Sequence, residues 1–212
     1  MGIETEIKFS ATGMEMLDEL AALKEVAGYQ VVDMGVKLQT DTCFDTDDQR
    51  FFREKIVFRL RVRDNGSVLT FKAQLKDGSV SADNLYHRIE VEQPTHATVD
   101  DISAGELPDI PPTHALRDAV GELSILPSLI IANNRRIMLL MKDDEPRFEM
   151  VLDDVMFRGP GGKAQVYEVE VETIAGGEDE LREVGAWLKE NYGLEAAGPS
   201  KYILGMEMVG GV

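Results

Sequence analysis

Glu4, Glu6 and Lys8 stand two residues apart near the start of the chain. Arg59 and Arg61 repeat that spacing, as do Glu168, Glu170 and Glu172, and each string lies in a segment otherwise rich in Val, Ile, Leu and Phe. Side chains alternate faces along a strand, so each string lines one face with charge and leaves the other apolar. The same spacing continues through Thr70 and Lys72, Arg88 and Glu90, and Glu149, Val151 and Asp153. Arg135 or its neighbour Arg136, which points the opposite way, supplies a further basic position. A surface strand would tolerate one such face. A face that recurs with both signs implies charged faces that meet in a shared polar interior. Burying any of these charges alone costs several kcal/mol, so a closed sheet carrying them needs water, counter-charges or a ligand inside.

Such a lumen has a definite chemistry. Arg and Lys side chains offer charge-assisted hydrogen bonds to phosphate oxygens, and Arg adds bidentate geometry, so a polyphosphate fits. Carboxylates repel phosphate but supply the oxygen ligands that Mg²⁺ and Mn²⁺ require. A divalent ion between the two sets would neutralise phosphate charge, align a terminal phosphoryl group and acidify a bound water.

The elements that must position these residues are legible as a pattern. Ile3 to Phe9 reads as a strand, followed by helical spacing from Met14 to Lys24 that ends near Gly28. Tyr29 to Phe44 reads as one long strand. Ile56 to Arg63 and Val68 to Ala73 form a hairpin around Asp64-Asn65-Gly66. Tyr86 to Glu92 is a strand closed by Pro94, and Thr113 to Leu126 a helix capped by Thr113. Ile131 to Lys142 and Arg147 to Phe157 pair around Asp143-Asp144-Glu145-Pro146. Gly159 to Gly162 turns into a strand from Ala164 to Thr173, and Glu178 to Tyr192 is a helix stopped by Gly193. Strands number about eight. No Pro-, Gly- or Ser-rich linker divides the chain, so one domain is expected.

Composition narrows the function. The chain has 212 residues, 43% of them hydrophobic, enough for a buried core. A net charge of -17 makes nucleic acid and anionic membranes poor partners unless cations are segregated. The single cysteine, Cys43, excludes an internal disulfide. The start of the chain lacks an apolar signal core, and no stretch approaches the roughly 20 apolar residues of a membrane span. A cytoplasmic protein is expected.

Taken together, these residues resemble the CYTH superfamily, the triphosphate tunnel metalloenzymes that include class IV adenylate cyclases, thiamine triphosphatases and inorganic triphosphatases. Its ExExK signature corresponds to Glu4, Glu6 and Lys8. Phe44-Asp45-Thr46, Arg59-x-Arg61, Thr70-Phe71-Lys72, Arg88-x-Glu90, Arg135, Leu152-Asp153, Glu168-x-Glu170 and Ser200-Lys201-Tyr202 follow in order, so the resemblance covers nearly the whole chain. It implies an α+β fold, an eight-stranded antiparallel β-barrel tunnel with helices packed outside, as a single CYTH domain over residues 1–212. It also implies roles. Glu4, Glu6 and Glu170 would hold Mg²⁺ or Mn²⁺ on the triphosphate, and Asp153 and Glu168 would help with a second ion that orients or activates water. Lys8, Arg59, Arg61, Lys72, Arg88, Arg135 and Lys201 would grip the phosphates. Glu90 would orient basic side chains. Two positions depart from the pattern: Cys43 replaces a frequent aromatic, and Asn133 stands where a Lys is common. The longer architecture with an appended histidine-rich helical domain is not expected.

The activity this implies is metal-dependent hydrolysis of the terminal phosphate of a small-molecule triphosphate, with inorganic triphosphate foremost. The alternatives are a thiamine triphosphatase, an adenylate cyclase, or a noncatalytic triphosphate or nucleotide binder. The resemblance also allows a homodimer. Other features read as structure. Glu172 is a solvated strand-end charge, Arg63 lies at the tunnel mouth or outside the site, and Asp45 to Asp48 and Asp143 to Glu145 are solvated loops. Cys43 is a small strand residue, Trp187 and the methionines fill the core, and His87, His96 and His114 lack metal-ligand spacing. Gly159 to Gly162 lacks the strand-to-helix setting of a phosphate loop.

Overall fold

Alternation along long strands rolls the sheet into a closed barrel whose inner face is charged and whose outer face is apolar. The computed structural model describes residues 2–63, 66–74, 85–198 and 200–211. Its main strands are β1 (Gly2–Ala11), β3 (Tyr29–Asp45), β4 (Val57–Arg63), β5 (Gly66–Gln74), β6 (Leu85–Thr95), β7 (Leu126–Lys142), β8 (Glu145–Gly159) and β9 (Gly162–Thr173). Around the barrel the order is β1, β6, β5, β4, β3, β7, β8, β9 and back to β1, with every neighbouring pair antiparallel. Closure removes the sheet edges that an open sheet would expose. Two short strands, β2 (Glu25–Val26) and β10 (Glu195–Ala196), pair with β3 and β1.

Helices α1 (Met14–Ala21) and α5 (Glu178–Tyr192) cover one outer flank, where Leu17, Leu20, Leu181, Val184 and Leu188 pack on Ile7, Phe9, Phe148, Met150 and Val169. Helices α2 (Arg50–Glu54), α3 (Val99–Ser103) and α4 (Pro111–Val120) cover another, with Phe51, Ile102 and Leu116 against Phe44, Phe58, Leu69 and Phe71. The last helix, α6 (Lys201–Val209), is placed differently. Its Tyr202, Ile203, Met206 and Val209 join the inward side chains Cys43, Val57, Leu129, Ile131, Val155 and Phe157, closing one end of the barrel. Gly205 permits that approach, because a Cβ there would lie 2.5 Å from Leu129 Cδ2 and 2.9 Å from Phe157 Cδ1.

Several elements differ from the sequence reading. Gly28 does not stop the first helix; with Ala27, both at positive φ, it turns the β2–β3 hairpin. Pro94 does not end its strand, since it sits opposite Val68 one residue before the end of β6. The fourth helix starts earlier, at Pro111, where a missing N–H costs nothing in the first turn, and it stops before Gly121 at φ 79°. Thr113 is therefore a buried residue within the helix and no cap, and Leu126 already belongs to β7. Asp143 and Asp144 alone form the β7–β8 turn, both at positive φ, so Glu145 and Pro146 are strand residues. The β4–β5 pairing is as expected, while Asp64 and Asn65 of its turn lie outside the described residues. The methionines divide: Met138, Met150 and Met206 are buried, whereas Met14, Met34 and Met208 are exposed. Trp187 is partly buried against the flank beneath α5. Helices α2, α3 and α6 have no counterpart in the sequence reading.

Candidate functional site: a charged tunnel closed at one end

The inward residues of the barrel enclose a cavity of about 260 Å³. Of the residues singled out from the sequence, Glu4, Glu6, Lys8, Arg59, Arg61, Lys72, Arg88, Arg135, Glu170 and Lys201 all line it. Register brings them together: Lys8 lies opposite Glu170, Glu4 opposite Arg88 and Arg135 opposite Asp153. Asp153 and Glu168 do not reach the cavity wall. Both are buried behind it, where Lys201 Nζ stands 2.9 Å from Asp153 Oδ2 and 2.6 Å from Glu168 Oε2. The choice between the two arginines of β7 is settled by their partners. Arg135 binds Asp153 through Nε and Nη2 at 2.8 and 2.6 Å and Glu170 at 2.7 Å, whereas Arg136 lies outside on Asp33.

Two of the centres around which charges pair inside are Glu170 and the neighbouring carboxylates Glu4 and Glu6. Glu170 takes Lys8 Nζ and Lys201 Nζ, each at 2.7 Å, as well as Arg135. Glu4 accepts Lys72 Nζ on both oxygens at 2.9 Å, Glu6 accepts Arg88, and Lys72 also reaches Glu90 at 3.1 Å. Burial alone would raise the Glu4 carboxyl, but Lys72 and Arg88 outweigh it and hold it at about 2. Burial opposes ionisation of Glu170 too, and Lys201, Lys8 and Arg135 overcome it, placing this carboxyl well below the usual range. Lys201 shows the converse: burial would lower it, yet Asp153, Glu168 and Glu170 raise it. Glu4, Glu170 and Lys201 are thus charged at neutral pH.

Asp41 escaped the sequence reading, while Glu172 and Asp45 were read differently and Arg63 takes the tunnel-mouth place it was offered. Asp41 is 3% exposed and accepts both Arg61, at 2.7 and 2.8 Å, and Arg59, at 2.9 Å. Its signal was the inward parity of Gln39, Asp41 and Cys43, obscured because Asp33, Met34 and Gly35 interrupt the alternation at a bulge. Glu172 and Arg63 line the cavity, so Glu172 is no solvated strand end; burial and then nearby Glu4 push its carboxyl up to about 7. Asp45 is likewise no solvated loop residue. It is buried and accepts the N–H groups of Thr46, Phe51 and Phe52, while Asp47 and Asp48 are exposed as expected. Cys43 is a buried wall residue whose thiol burial pushes up.

The cavity opens at the end away from α6, where Arg63, Glu149 and Glu172 are half-buried and Glu92 is exposed. Tyr202, at the closed end, is the single aromatic residue among the described lining. Among the described residues no group of three or more His, Cys, Asp or Glu is arranged to hold a metal ion as it stands. The carboxylates on the wall are nevertheless all-oxygen donors of the kind Mg²⁺ and Mn²⁺ take, so Glu4, Glu6 and Glu170 fit a divalent ion that displaces their Lys and Arg partners. Among the described residues no helix is long and apolar enough to cross a membrane.

No curated protein sequence matches the chain. Solved structures do. A Hippeastrum protein studied as an adenylyl cyclase and found to have a dominant triphosphatase activity superposes with a TM-score of 0.69 at 18% identity, over 96% of this chain and 95% of that one. A Bacillus halodurans protein described as a candidate adenylate cyclase gives 0.67 at 16% identity, over 96% and 98%. The PH1819 protein of Pyrococcus horikoshii gives 0.53 at 18% identity, over 94% and 96%. At these identities the likeness is one of fold. The CYTH domain model matches residues 2–202, and with the closed eight-stranded barrel this shows that the chain belongs to the CYTH family.

Proposed function

We propose that this protein hydrolyses the terminal phosphoanhydride bond of a triphosphate, with inorganic triphosphate as the preferred substrate. The observation that carries this reading is a blind, charged tunnel. Eight basic side chains, Lys8, Arg59, Arg61, Arg63, Lys72, Arg88, Arg135 and Lys201, face a cavity whose described lining offers no aromatic surface near the mouth. Those groups answer the oxygens of a phosphate chain, while a nucleobase or thiazolium ring would find no ring to stack on. The dominant triphosphatase activity of the Hippeastrum relative supports hydrolysis over cyclisation.

The chain's own residues divide the work. Lys8, Arg59, Arg61, Lys72, Arg88, Arg135 and Lys201 bind the phosphate chain and stabilise charge on the transferred group and the departing diphosphate. Glu4, Glu6 and Glu170 would hold Mg²⁺ or Mn²⁺. Bound there, the ion supplies Lewis-acid charge neutralisation and a more acidic water. Asp153 and Glu168, buried behind the wall, hold Arg135 and Lys201 in place; service at a second ion would require Lys201 to withdraw from both. Water attacks the terminal phosphorus, the bond to the bridging oxygen breaks, and diphosphate leaves with the electron pair. No covalent protein intermediate is required.

The test is phosphate release from inorganic triphosphate, thiamine triphosphate and ATP in parallel, with Mg²⁺, Mn²⁺ or chelator, and cyclic AMP monitored. Metal-dependent release fastest from inorganic triphosphate is expected. A different ranking reassigns the substrate, cyclic AMP without release identifies a cyclase, and silence on both counts leaves a binding protein.

A further inference from the structure

Two short motifs have no part in the phosphate chemistry above: Phe44-Asp45-Thr46 and the tyrosine of Ser200-Lys201-Tyr202. The structure joins them. The Tyr202 phenol donates to Asp45 Oδ2 at 2.6 Å, and both residues are 2% exposed. Asp45 is itself fixed by the backbone, accepting Thr46 N and Phe51 N on Oδ1, each at 2.7 Å, and Phe52 N on Oδ2 at 3.0 Å. These amides belong to the turn out of β3 and the start of α2, so the phenol is tied to a rigid corner of the barrel.

Tyr202 follows directly on Lys201 in the first turn of α6, where successive side chains diverge by about 100°. One of them grips the β3–α2 corner. The other sends its ammonium to Asp153, Glu168 and Glu170 on β8 and β9. The start of α6 thus spans the closed end of the tunnel between two anchors, and only the Lys201 anchor lies where a phosphate would sit. A phosphate that draws Lys201 from its carboxylates would leave the Tyr202 phenol, bonded to Asp45 and in contact with Ser128 of β7, as a polar tie of this turn to the barrel.

We infer that Tyr202 is a positioning residue: its bond to Asp45 latches α6 so that Lys201 meets the innermost phosphate. The inference rests on the reading of the tunnel as a triphosphate site. A latch of this kind acts on binding in the ground and transition states alike, so its loss raises KM and leaves kcat nearly unchanged. A merely structural role would lower the active fraction, and with it kcat, at constant KM.

The test compares wild type, Tyr202→Phe, Lys201→Ala and the double variant, by hydrolysis and by calorimetric binding of tripolyphosphate. Y202F is expected to raise KM and Kd about 5- to 10-fold with kcat within about twofold, and to add nothing in the K201A background. Unchanged KM in Y202F, or penalties that multiply in the double variant, overturn the latch. Should Y202F fail to fold, hydrogen exchange across Lys201–Val209 of the unaltered protein decides. Tripolyphosphate must slow that exchange several-fold, and unchanged exchange overturns the proposal. A wild-type chain that neither binds nor hydrolyses tripolyphosphate refutes the reading of the tunnel itself. One that binds it while Y202F binds equally well refutes only the latch.

Discussion

Asp41 faces Arg61 side-on, with its two oxygens 2.7 and 2.8 Å from Nε and Nη2, and the same carboxylate takes Arg59 at 2.9 Å. One buried anion therefore aligns two guanidiniums along the tunnel wall and leaves them a net positive charge. Burial would raise this carboxyl, but Arg59 and Arg61 hold it at about 2. Asp41→Asn strands two buried cations, a loss of about 3–5 kcal/mol. Because a bound anion replaces the missing charge, tripolyphosphate should raise the melting temperature of D41N more than that of wild type. Thermal denaturation with and without tripolyphosphate measures this; equal shifts would contradict the role of Asp41.

Glu4→Gln and Glu6→Gln each remove a carboxylate that lines the cavity and pairs with a basic residue there. Turnover should fall on the order of 100-fold or more with the fold retained. Circular dichroism reports the fold, and calorimetric titration with Mn²⁺ should show weakened metal binding. Full metal-dependent activity in both variants would show that the site assignment is wrong.

Glu172 gives the protein a pH signature. Its carboxyl moves from an ordinary 4.5 to about 7 on folding. Between these values the folded chain keeps a proton that the unfolded chain has lost, so this group's contribution makes stability fall as pH rises through the interval and level off above it. Glu172→Gln should therefore be more stable than wild type by about 1–2 kcal/mol near pH 8, after allowance for solvent screening, with the gap shrinking as pH falls. Urea unfolding at several pH values checks this, and a gap independent of pH would refute it. Asp41 and Glu4, both held at about 2, act in the opposite sense: their stabilisation is present at neutral pH and lost as pH falls toward that value.

The two arginines of β7 should behave differently. Arg136→Ala breaks an exposed pair with Asp33 and should change stability by less than about 1 kcal/mol with activity intact. Arg135→Ala uncovers the fully buried Asp153 and should destabilise by about 3–5 kcal/mol while reducing turnover. Equal effects from the two would contradict the observed orientation of β7.

Gly205→Ala would press a methyl group into Leu129 and Phe157. The expected cost is about 1–3 kcal/mol of stability, read by urea unfolding, together with weaker tripolyphosphate binding as α6 is pushed from the barrel end. Unaltered binding would show that the seating of α6 has no bearing on the site.

The lining of the tunnel was readable from the chain because a strand's two faces are set locally. Residues two apart share a side, so Glu4, Glu6 and Lys8, or Arg59 and Arg61, declare a charged face whatever they pack against. Long alternating runs marked the main strands, and turn residues marked most hairpins. Short helices were invisible for equally local reasons. Arg50–Glu54 and Val99–Ser103 are too brief for a periodic signal, and Lys201–Val209 is apolar on most sides because it is buried in the barrel end.

Which charge answers which was set by the fold. Asp41 meets Arg59 and Arg61 across 18 and 20 residues of chain, Lys201 reaches Glu170 across 31, and Tyr202 finds Asp45 across 157. Such pairings depend on register and on the closure of β1 against β9, quantities that no local pattern contains. Burial then determines their chemistry, since removing water makes an unpaired charge costly and a paired one strongly shifted. Local pattern therefore specified a charged lumen and its family, while the fold determined that Asp153 and Glu168 stand behind the wall, that burial raises the Glu172 carboxyl and that one end of the tunnel is closed.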